Sequence, residues 1–418
     1  MRILLSAFRR APIEGTDEVL FVRSLAEQLA DRGHQVGLIT NQPGAIGPLD
    51  PSTGSVDGGG IVVHHLDDGS DRRASPRRRR WYRSRSGMIG RAADASPYDV
   101  VHHVGPLDLH DIAGLRRGNV PYVLGPLSGG EVAPFEFRRY FDDDWPSEVW
   151  RRRRVRFAIA QAPSIRRAVG GASVVLAANP ETANLVRRLG ATHVEPMVDA
   201  VVPDGRLGER PPERRPSEHL RVLWVGPPDR GRALPLALDI LAGVEQEIPV
   251  RLRVTGGLPD DPWHRMLSGR PGVAERLDLV GTVGPSERSK LLDDSDILLQ
   301  SALRAPGAGS MVEAMAVGVP VVALEHQAAR LTLADGGGLL LPVTNPADVI
   351  HTGAKVLARL ATRPEWRQTL ATEAWSAAHR FSVAGQTRAI EAVYRRAIDG
   401  REPPDHPEGA GESDRDRR

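Results

Sequence analysis

The sequence contains no cysteine, almost no lysine and few aromatic residues, and each shortage narrows the possible functions. Without cysteine there are no disulfides, thiolate nucleophiles or cysteine-ligated metals, and an intracellular location is allowed. Aromatic residues make up 5% of the chain, too few to indicate a surface on which nucleic-acid bases stack. Only Lys290 and Lys355 are lysines among 55 basic residues, which indicates a GC-rich bacterial genome, so arginine in place of lysine carries little functional information.

Long apolar runs are also missing from the sequence. No stretch reaches the roughly 18 residues of a transmembrane helix, and the N-terminus runs into an apolar strand without the pattern of a signal peptide. We therefore expect a cytoplasmic protein. The net charge of +2 gives no drive towards nucleic acid, but the arginine-rich segments Arg77–Arg85 and Arg151–Arg156 could contact the anionic inner face of a membrane. A solvated loop and a solvated helix face are the alternative explanation.

Alternation of apolar strands and helices predicts the fold class. A strand at 2–6, a helix over 19–30 and a strand at 35–40 form a βαβ unit, which implies a parallel sheet. The pattern begins again with a strand at 220–225 and a helix over 234–244, and it includes a fully apolar strand at 319–324. The sequence therefore predicts an α/β protein with two doubly wound, Rossmann-like domains that face each other across a cleft.

Composition places the boundaries of these domains. We expect a first domain over 1–203, a linker rich in proline, arginine and glutamate over 204–219, and a second domain over 220–384. A C-terminal helix over 385–398 is predicted to pack back towards the first domain. The charged segment 399–418 is predicted to be a disordered tail.

The segment 301–324 is the most informative part of the chain for function. Its glycines precede a helix start, where backbone N–H groups and the positive end of the helix dipole suit a diphosphate. Glu313, one turn into the helix, could accept hydrogen bonds from ribose hydroxyls. Alternatively, Ser310 and Glu313 form a capping box that only stabilises the helix. The residues expected to bind a ligand here are Gly307, Gly309, Ser310, Met311 and Glu313.

The run EAMAVGVPVVA at 313–323 resembles the donor-domain signature of family 4 glycosyltransferases. In that family a first Glu, seven residues and a second Glu precede the AMA run; Glu313 occupies the second position and Ala305 the first. The resemblance implies the GT-B fold and transfer of a hexose-type sugar from a nucleotide-sugar donor to an acceptor hydroxyl, with retention of configuration. It also implies that neither a metal ion nor another cofactor is required. The acceptor would be an envelope glycan, a lipid-linked sugar or a small secondary metabolite.

The turn VGPPDRGRALPLAL at 225–238 resembles the phosphate-binding turn of the same family, a Gly-Arg pair followed by Lys five residues after the Arg. Gly226 matches, Pro227 replaces the Arg and Arg232 replaces the Lys. The resemblance implies that Arg232 binds the diphosphate and stabilises it as the leaving group, which a guanidinium can do with two parallel hydrogen bonds. Arg230 is the alternative phosphate contact, and Arg232 is favoured.

In the first domain, PIEGTDE at 12–18 resembles the family's Gly-Gly-x-Glu loop. Gly15 and Thr16 occupy the two glycine positions and are expected to approach the donor, whereas Glu18 matches the acid and is expected on the acceptor or sugar side. An ordinary strand-to-helix turn with acidic residues near the helix N-terminus is an equally good explanation.

Two histidines and a glycine pair complete the candidate site. His102 and His103 end a predicted strand and point to opposite sides of it, so only one can face the cleft. The resemblance implies a histidine against the donor sugar here, although a lone strand-end histidine is usually structural. In LGPLSGGE at 124–131, Gly129, Gly130 and Glu131 resemble a loop that would line the sugar.

Other functions remain open at this stage. A sugar-nucleotide epimerase of the GT-B fold would bind the same donor with a different acid and base. A weakened protein that only binds a nucleotide sugar is favoured by Ala305 and Pro227. A nucleic-acid binder would require binding that depends steeply on salt concentration. The run Asp142–Asp144 resembles a metal-binding motif only superficially, and a solvated helix start explains it better, so no metal is expected.

Overall fold

The computed structural model describes residues 1–7, 17–40, 61–65, 98–104, 107–109, 112, 120–159, 161–202, 205–213, 217–227, 229–256, 267, 269–304 and 307–400. Several sequence predictions lie outside these residues, namely those for Gly15, Thr16, Ala305, Arg77–Arg85 and the tail beyond 400.

The first domain is built on a parallel sheet with strand order β3–β2–β1–β4–β6–β7–β8, and a short strand β5 pairs with β6. Its central strands are apolar on both faces because helices cover both faces, as in β1, where Ile3, Leu4 and Leu5 are fully buried. The strands are β1 Arg2–Ala7, β2 Gln35–Thr40, β3 Ile61–His65, β4 Val100–His103, β5 Leu107–Asp108, β6 Tyr122–Ser128, β7 Val174–Ala177 and β8 Val194–Pro196. The helices are α1 Asp17–Asp31, α2 Trp145–Arg153, α3 Pro163–Gly170 and α4 Pro180–Leu189, and a π-helical turn, Arg154–Ile159, follows α2.

The second domain has a parallel sheet of order β11–β10–β9–β12–β13–β14, the doubly wound 3-2-1-4-5-6 arrangement. Its strands are β9 Leu220–Trp224, β10 Val250–Thr255, β11 Leu277–Gly281, β12 Ile297–Gln300, β13 Val321–Leu324 and β14 Gly338–Leu341. Its helices are α5 Leu234–Ala242, α6 Pro285–Asp293, α7 Gly309–Ala316, α8 Ala328–Thr332, α9 Pro346–Thr362 and α10 Pro364–Ala378. The predicted α/β fold with two doubly wound domains is confirmed.

The last helix, α11 (Val383–Asp399), returns to the first domain and packs against α1. Ile390, Val393 and Tyr394 belong to the same buried cluster as Ile3 and Leu5 of β1. The Glu391 carboxylate accepts hydrogen bonds from Arg32 Nε at 2.7 Å and Arg32 Nη2 at 2.8 Å, and His34 Nε2 lies 2.8 Å from it. The hydrogen bond from Arg32, together with that from His34, lowers the pKa of Glu391 to about 2 despite its burial.

A segment of the first domain crosses to the second. Residues 133–148, here called the bridging segment, follow β6, and their buried aromatic residues Phe137, Tyr140 and Phe141 belong to the core of the second domain. The Tyr140 hydroxyl donates a hydrogen bond of 2.7 Å to Asp239 of α5. The sequence predicts an aromatic and helical excursion from the first sheet at 142–171, but not that the preceding aromatic residues pack into the other domain. The two domains are therefore joined by packed side chains as well as by the linker.

Among the helices within the described residues, none is long and apolar enough to cross a bilayer.

Candidate functional site

In each sheet the strand order reverses between two neighbouring strands, β1 and β4 in the first domain and β9 and β12 in the second. Ligands of doubly wound proteins bind outside the carboxyl ends of the strands at such a point. After β9 comes the turn 225–232, and after β12 comes the loop 301–304. The predicted phosphate-binding turn therefore lies at the switch point of the second domain.

The turn and the loop are bonded to each other through one carbonyl group. Gly231 O accepts hydrogen bonds from Leu303 N at 2.8 Å and from Arg304 N at 2.9 Å. A side chain at Gly231 would place its Cβ 2.6 Å from Arg304 O, so only glycine allows the two backbones to approach so closely. Ser301 supports the same junction, because its Oγ accepts from the buried Trp224 Nε1 at 3.0 Å and lies 3.0 Å from Ala233 O.

Arg232 lies over the glycine that begins the turn. A Cβ at Gly226 would lie 2.5 Å from Arg232 Cδ and 2.9 Å from its Nε, and Gly226 has φ of +151°, which side chains rarely adopt. The Arg232 backbone N donates to Asp229 Oδ1 at 2.9 Å, which closes the turn. The Arg232 side chain is partly exposed. The structure thus brings Gly226 and Arg232 together at the switch point, while Arg230 lies within 3.8 Å of Asp144 in the bridging segment.

The glycine-rich loop before α7 leads into a helix that begins at Gly309. Its N-cap is Ala308, with no hydrogen bond from a side chain, so the alternative of a capping box between Ser310 and Glu313 is wrong. The Glu313 carboxylate instead accepts a hydrogen bond of 2.7 Å from Arg288 Nη2 of α6. Met311 is buried in the core and can offer a ligand only its backbone.

A pocket lies beside this helix, at the carboxyl ends of β12 and β13. Its lining includes the predicted residues Gly307 and Met311 and two residues that the sequence reasoning missed, His326 and Gln327. His326 Nε2 donates to Ala302 O at 2.8 Å, and burial lowers the pKa of His326. Both residues come shortly after the apolar run that forms β13. Their position beyond the carboxyl end of a buried strand could have identified them as site residues from the sequence. The full lining is Gln300, Ala302, Gly307, Met311, Ala323, Leu324, His326, Gln327, Ala328 and Ala329.

Gln327 also meets the first domain. Its backbone N donates to Glu181 Oε1 at 3.3 Å, and its side-chain Nε2 donates to Leu303 O at 3.0 Å. Gln327 has φ of +53°, a backbone conformation that is uncommon for residues other than glycine. Such a conformation is strained, and the contacts around Gln327 must stabilise it. Glu181 lies in the first turn of α4. The pocket of the second domain therefore borders on the first domain.

His102 is part of the protein core, which corrects its prediction as a catalytic residue. It is fully buried; its Nε2 donates to Gly125 O at 2.9 Å, and its Nδ1 lies 2.6 Å from the Tyr394 hydroxyl of α11. Because a carbonyl can only accept, Nε2 carries the proton and Tyr394 donates to Nδ1. Burial lowers the pKa of His102 to about 4, so the ring is neutral at pH 7 and both nitrogens are engaged within the fold.

His103 lies on the other side of β4, as the alternation of strand side chains predicts. Its Nδ1 is 2.8 Å from Ser6 Oγ at the end of β1, so it lies at the switch point of the first sheet. In the described part of the structure, the His103 side chain is buried. The catalytic role of His103 remains a prediction.

The glycine pair after β6 contacts a buried carboxylate and helix α4. Gly129, with φ of +108°, donates its N–H to Glu131 Oε2 at 2.9 Å, and Asn179 Nδ2 also donates to Glu131. Gly130 N donates to Thr182 Oγ1 at 3.0 Å, in a space that a Cβ would fill. Glu131 is 1% exposed. The prediction that Glu131 lines the acceptor side is therefore corrected: its carboxylate binds the backbone and α4 within the first domain.

Two acids of the bridging segment face the arginines of the second domain. Asp144 is the N-cap residue of α2, and Glu148 lies in the first turn of that helix. Glu148 is buried; its Oε1 accepts from Ala133 N at 2.9 Å, and its Oε2 lies 3.1 Å from Arg304 Nε. Asp144 Oδ2 lies 3.8 Å from Arg230 Nε. Within the described residues, no three His, Asp or Glu side chains are grouped so that they could hold a metal ion.

The remaining predicted residues, Glu18 and Arg151–Arg156, lie on helices of the first domain. Glu18 lies in the first turn of α1. Arg151–Arg156 spans the end of α2 and the π-helical turn, where Trp150 and Phe157 are 60% and 65% exposed. The Arg154 guanidinium lies 5.2 Å from the centre of the Trp150 ring. Exposed arginines and aromatic residues therefore share one surface.

Both halves of the chain match known families. Residues 19–198 match the family described as a glycosyl transferase 4-like domain, and residues 219–359 match the family described as glycosyl transferases group 1. A search of curated protein sequences gives no match.

Solved structures share the whole two-domain arrangement. Sucrose-phosphate synthase (tll1590) from Thermosynechococcus elongatus is 16% identical, with a TM-score of 0.59 over 96% of this chain and 100% of that chain. Anabaena Alr3699/HepE in complex with UDP is 14% identical, with a TM-score of 0.58 over 94% and 100%. WaaG, a glycosyltransferase involved in lipopolysaccharide biosynthesis, is 15% identical, with a TM-score of 0.54 over 95% and 98%. Similarity at this level of identity shows a common fold.

Proposed function

Because the chain belongs to the glycosyltransferases of the GT-B fold, with a family 4-like first domain and a group 1 second domain, we propose that its donor is a nucleotide sugar. The enzyme transfers a hexose-type sugar from this donor to an acceptor hydroxyl. The anomeric configuration is retained.

The observation that carries this proposal is the position of Arg232. Its guanidinium lies over Gly226 at the switch point of the second sheet, beside the loop that leads into α7. A nucleoside diphosphate bound there would receive hydrogen bonds from Arg232 and from backbone N–H groups at the start of α7. As the bond to the sugar breaks, negative charge grows on the diphosphate, and a cation placed there beforehand stabilises the transition state. Arg232 would serve in place of a metal ion.

The acceptor hydroxyl would attack from the face that the diphosphate leaves, which gives retention, with a phosphate oxygen as the base. His103 is proposed to face the transferring sugar from the first domain, at the carboxyl end of β4. Glu313 is proposed to orient the ribose, and its ion pair with Arg288 fixes the rotamer that would do so.

The structural neighbours support particular classes of donor and acceptor. The Anabaena neighbour is in complex with UDP, which supports a nucleoside diphosphate as part of the donor. WaaG acts in lipopolysaccharide biosynthesis, which supports an envelope glycan or glycolipid as acceptor in a bacterium. A secondary metabolite is the other acceptor class.

A lipid-linked acceptor would require contact with a membrane surface, and the described residues offer one. We name as the arginine face Trp150, Arg153, Arg154, Arg156 and Phe157, all exposed on α2 and the π-helical turn. Arginine attracts anionic lipid headgroups, while exposed tryptophan and phenylalanine enter the interface. The protein is thus proposed to act in the cytoplasm, in peripheral contact with the inner face of the membrane.

One experiment distinguishes the proposed transferase from the two rival functions. Calorimetry and thermal unfolding of the purified protein are measured with UDP, GDP, dTDP and ADP sugars, with and without Mg²⁺, and the products formed from each donor are analysed. Stabilisation by one nucleotide, independent of Mg²⁺ and lost in Arg232→Ala, is expected. Donor binding without transfer or hydrolysis would favour the binding-only protein, and a changed sugar still attached to its nucleotide would favour an epimerase. Absence of binding to every nucleotide sugar would contradict the proposal.

A further inference from the structure

Arg304 lies against the proposed phosphate-binding turn, although no sequence motif singles it out. It follows β12, the neighbour of β9 at the switch point, and its backbone N–H is bonded to Gly231 O. A Cβ at Gly231 would lie 3.5 Å from Arg304 Cζ, so the guanidinium itself packs on this glycine. Gly231 separates Arg230 from Arg232. Three guanidinium groups are therefore carried by one pair of bonded loops.

A buried acid of the first domain fixes Arg304 in this position. Glu148 is 3% exposed, and its carboxylate is held between Ala133 N and Arg304 Nε. A buried carboxylate is costly unless a cation pairs with it, so Glu148 strongly favours the rotamer of Arg304 that keeps this contact. The contact occupies the Nε side of the guanidinium, and 32% of the Arg304 side chain remains exposed. Part of the Arg304 side chain is thus open to solvent and to an anion in it.

We propose that Arg304 is a further cation that binds the diphosphate of the donor, and that Glu148 of the bridging segment is its positioning residue. This inference rests on the proposed function. Pro227 provides no cation at the start of the turn, and Arg304 supplies a guanidinium from the adjacent loop. Arginine suits the role because its planar group has five N–H donors and can bind a carboxylate along one edge and a phosphate along another.

The arrangement makes the donor site depend on both domains. The turn and the loop belong to the second domain, whereas Glu148 arrives on α2 from the first domain. Packing of Phe137, Tyr140 and Phe141 into the second domain holds α2 in place. Diphosphate affinity is therefore expected to respond to a substitution in the first domain that touches no donor atom.

The test compares diphosphate with monophosphate binding. Among UDP, GDP, dTDP and ADP, the nucleotide that the wild type binds most tightly is chosen, and its dissociation constant and that of the matching monophosphate are measured by calorimetry. Arg304→Met should weaken binding of the diphosphate about tenfold, which is the scale of one lost charge-assisted hydrogen bond. Binding of the monophosphate should weaken much less. Arg304→Lys keeps the charge without the planar fork and should lie in between. Arg330→Met is the matched control, because Arg330 lies on α8 of the same domain and pairs with the surface residue Glu325.

Glu148→Gln should also weaken binding of the diphosphate, by a few-fold. Because Glu148 acts through Arg304, the same substitution should not change diphosphate binding in the Arg304→Met variant. A purely structural role would lower thermal stability and leave the ratio of diphosphate to monophosphate affinity unchanged. An unchanged ratio in both Arg304 variants would overturn this inference alone. Failure of the wild type to bind any of the four diphosphates would overturn the proposed function as well.

Discussion

The side chain of Arg232 lies across Gly226, so close that one added methyl group at the glycine would lie 2.5 Å from Arg232 Cδ. The two residues are six positions apart, at opposite ends of the turn that follows β9. The conformation of the glycine therefore decides where the guanidinium lies. If Arg232 binds the diphosphate of the donor, donor affinity should depend on Gly226, a residue that has no functional group.

Gly226→Ala is expected to weaken donor binding about tenfold. The new Cβ would displace Arg232, and φ of +151° would strain the alanine, so the turn must change shape. The measurement is the KM for the donor, or its dissociation constant by calorimetry. Gly284→Ala is the control, because a Cβ there meets nothing within 4 Å and its φ is negative. Equal donor affinity in both variants would contradict the proposed place of Arg232 in the site.

Tyr394→Phe is expected to lower the free energy of unfolding by about 1–3 kcal/mol, because His102 Nδ1 would stay buried without its donor. Urea denaturation measures this change. Donor affinity should stay the same, since His102 lies in the core between β6 and α11. Loss of transfer activity with unchanged stability would restore His102 as the catalytic histidine.

Acid is expected to loosen the C-terminal helix α11. The pKa of Glu391 is about 2 in the folded protein, chiefly through its hydrogen bond with Arg32, and about 4.3 when unfolded. A folded-state pKa that is depressed means that the contribution to stability is present above about pH 4 and is lost as the pH falls from there towards 2. The free energy of unfolding of the wild type and Glu391→Gln, measured between pH 7 and pH 3, should converge as the pH falls. Curves that stay parallel would contradict this account of Glu391.

The arginine face is expected to bind anionic vesicles. Replacing Trp150 and Phe157 together by serine removes the two exposed aromatic side chains and should reduce sedimentation with phosphatidylglycerol-containing vesicles several-fold. Leu279→Ser on β11 is the control, since Leu279 is exposed elsewhere on the second domain. Higher salt should weaken binding of all three proteins. If the wild-type protein does not sediment with anionic vesicles, the proposed contact with the membrane is wrong.

The sequence predicted the sheets well because their strands are locally apolar. The predicted strand at 35–40 coincides with β2, and those at 2–6 and 220–225 differ from β1 and β9 by one residue at one end. The short strands β5 and β8 have too few residues to show a pattern, and β14 lies in a run of glycines and leucines. Their existence depends on pairing with distant strands, which no local pattern records.

The candidate site was predicted in part, for a similar reason. Gly226 and Arg232 could be found because both lie in one short turn. The contact of Glu148 with Arg304 joins residues from two domains, and neither residue type in isolation indicates it. The capping box failed because the helix begins at Gly309 and Glu313 reaches across to Arg288 on α6. Roles of this kind follow from tertiary packing rather than from spacing along the chain.

The most direct test of the central claim measures release of nucleoside diphosphate and formation of glycosylated product from the donor that the wild type binds, in the presence of EDTA. We expect turnover by the wild type, partial activity in Arg232→Lys and a loss of roughly a hundredfold or more in kcat/KM in Arg232→Ala, as expected when a cation that stabilises the transition state is removed. Full turnover by Arg232→Ala would contradict the assignment of the leaving-group contact to this residue.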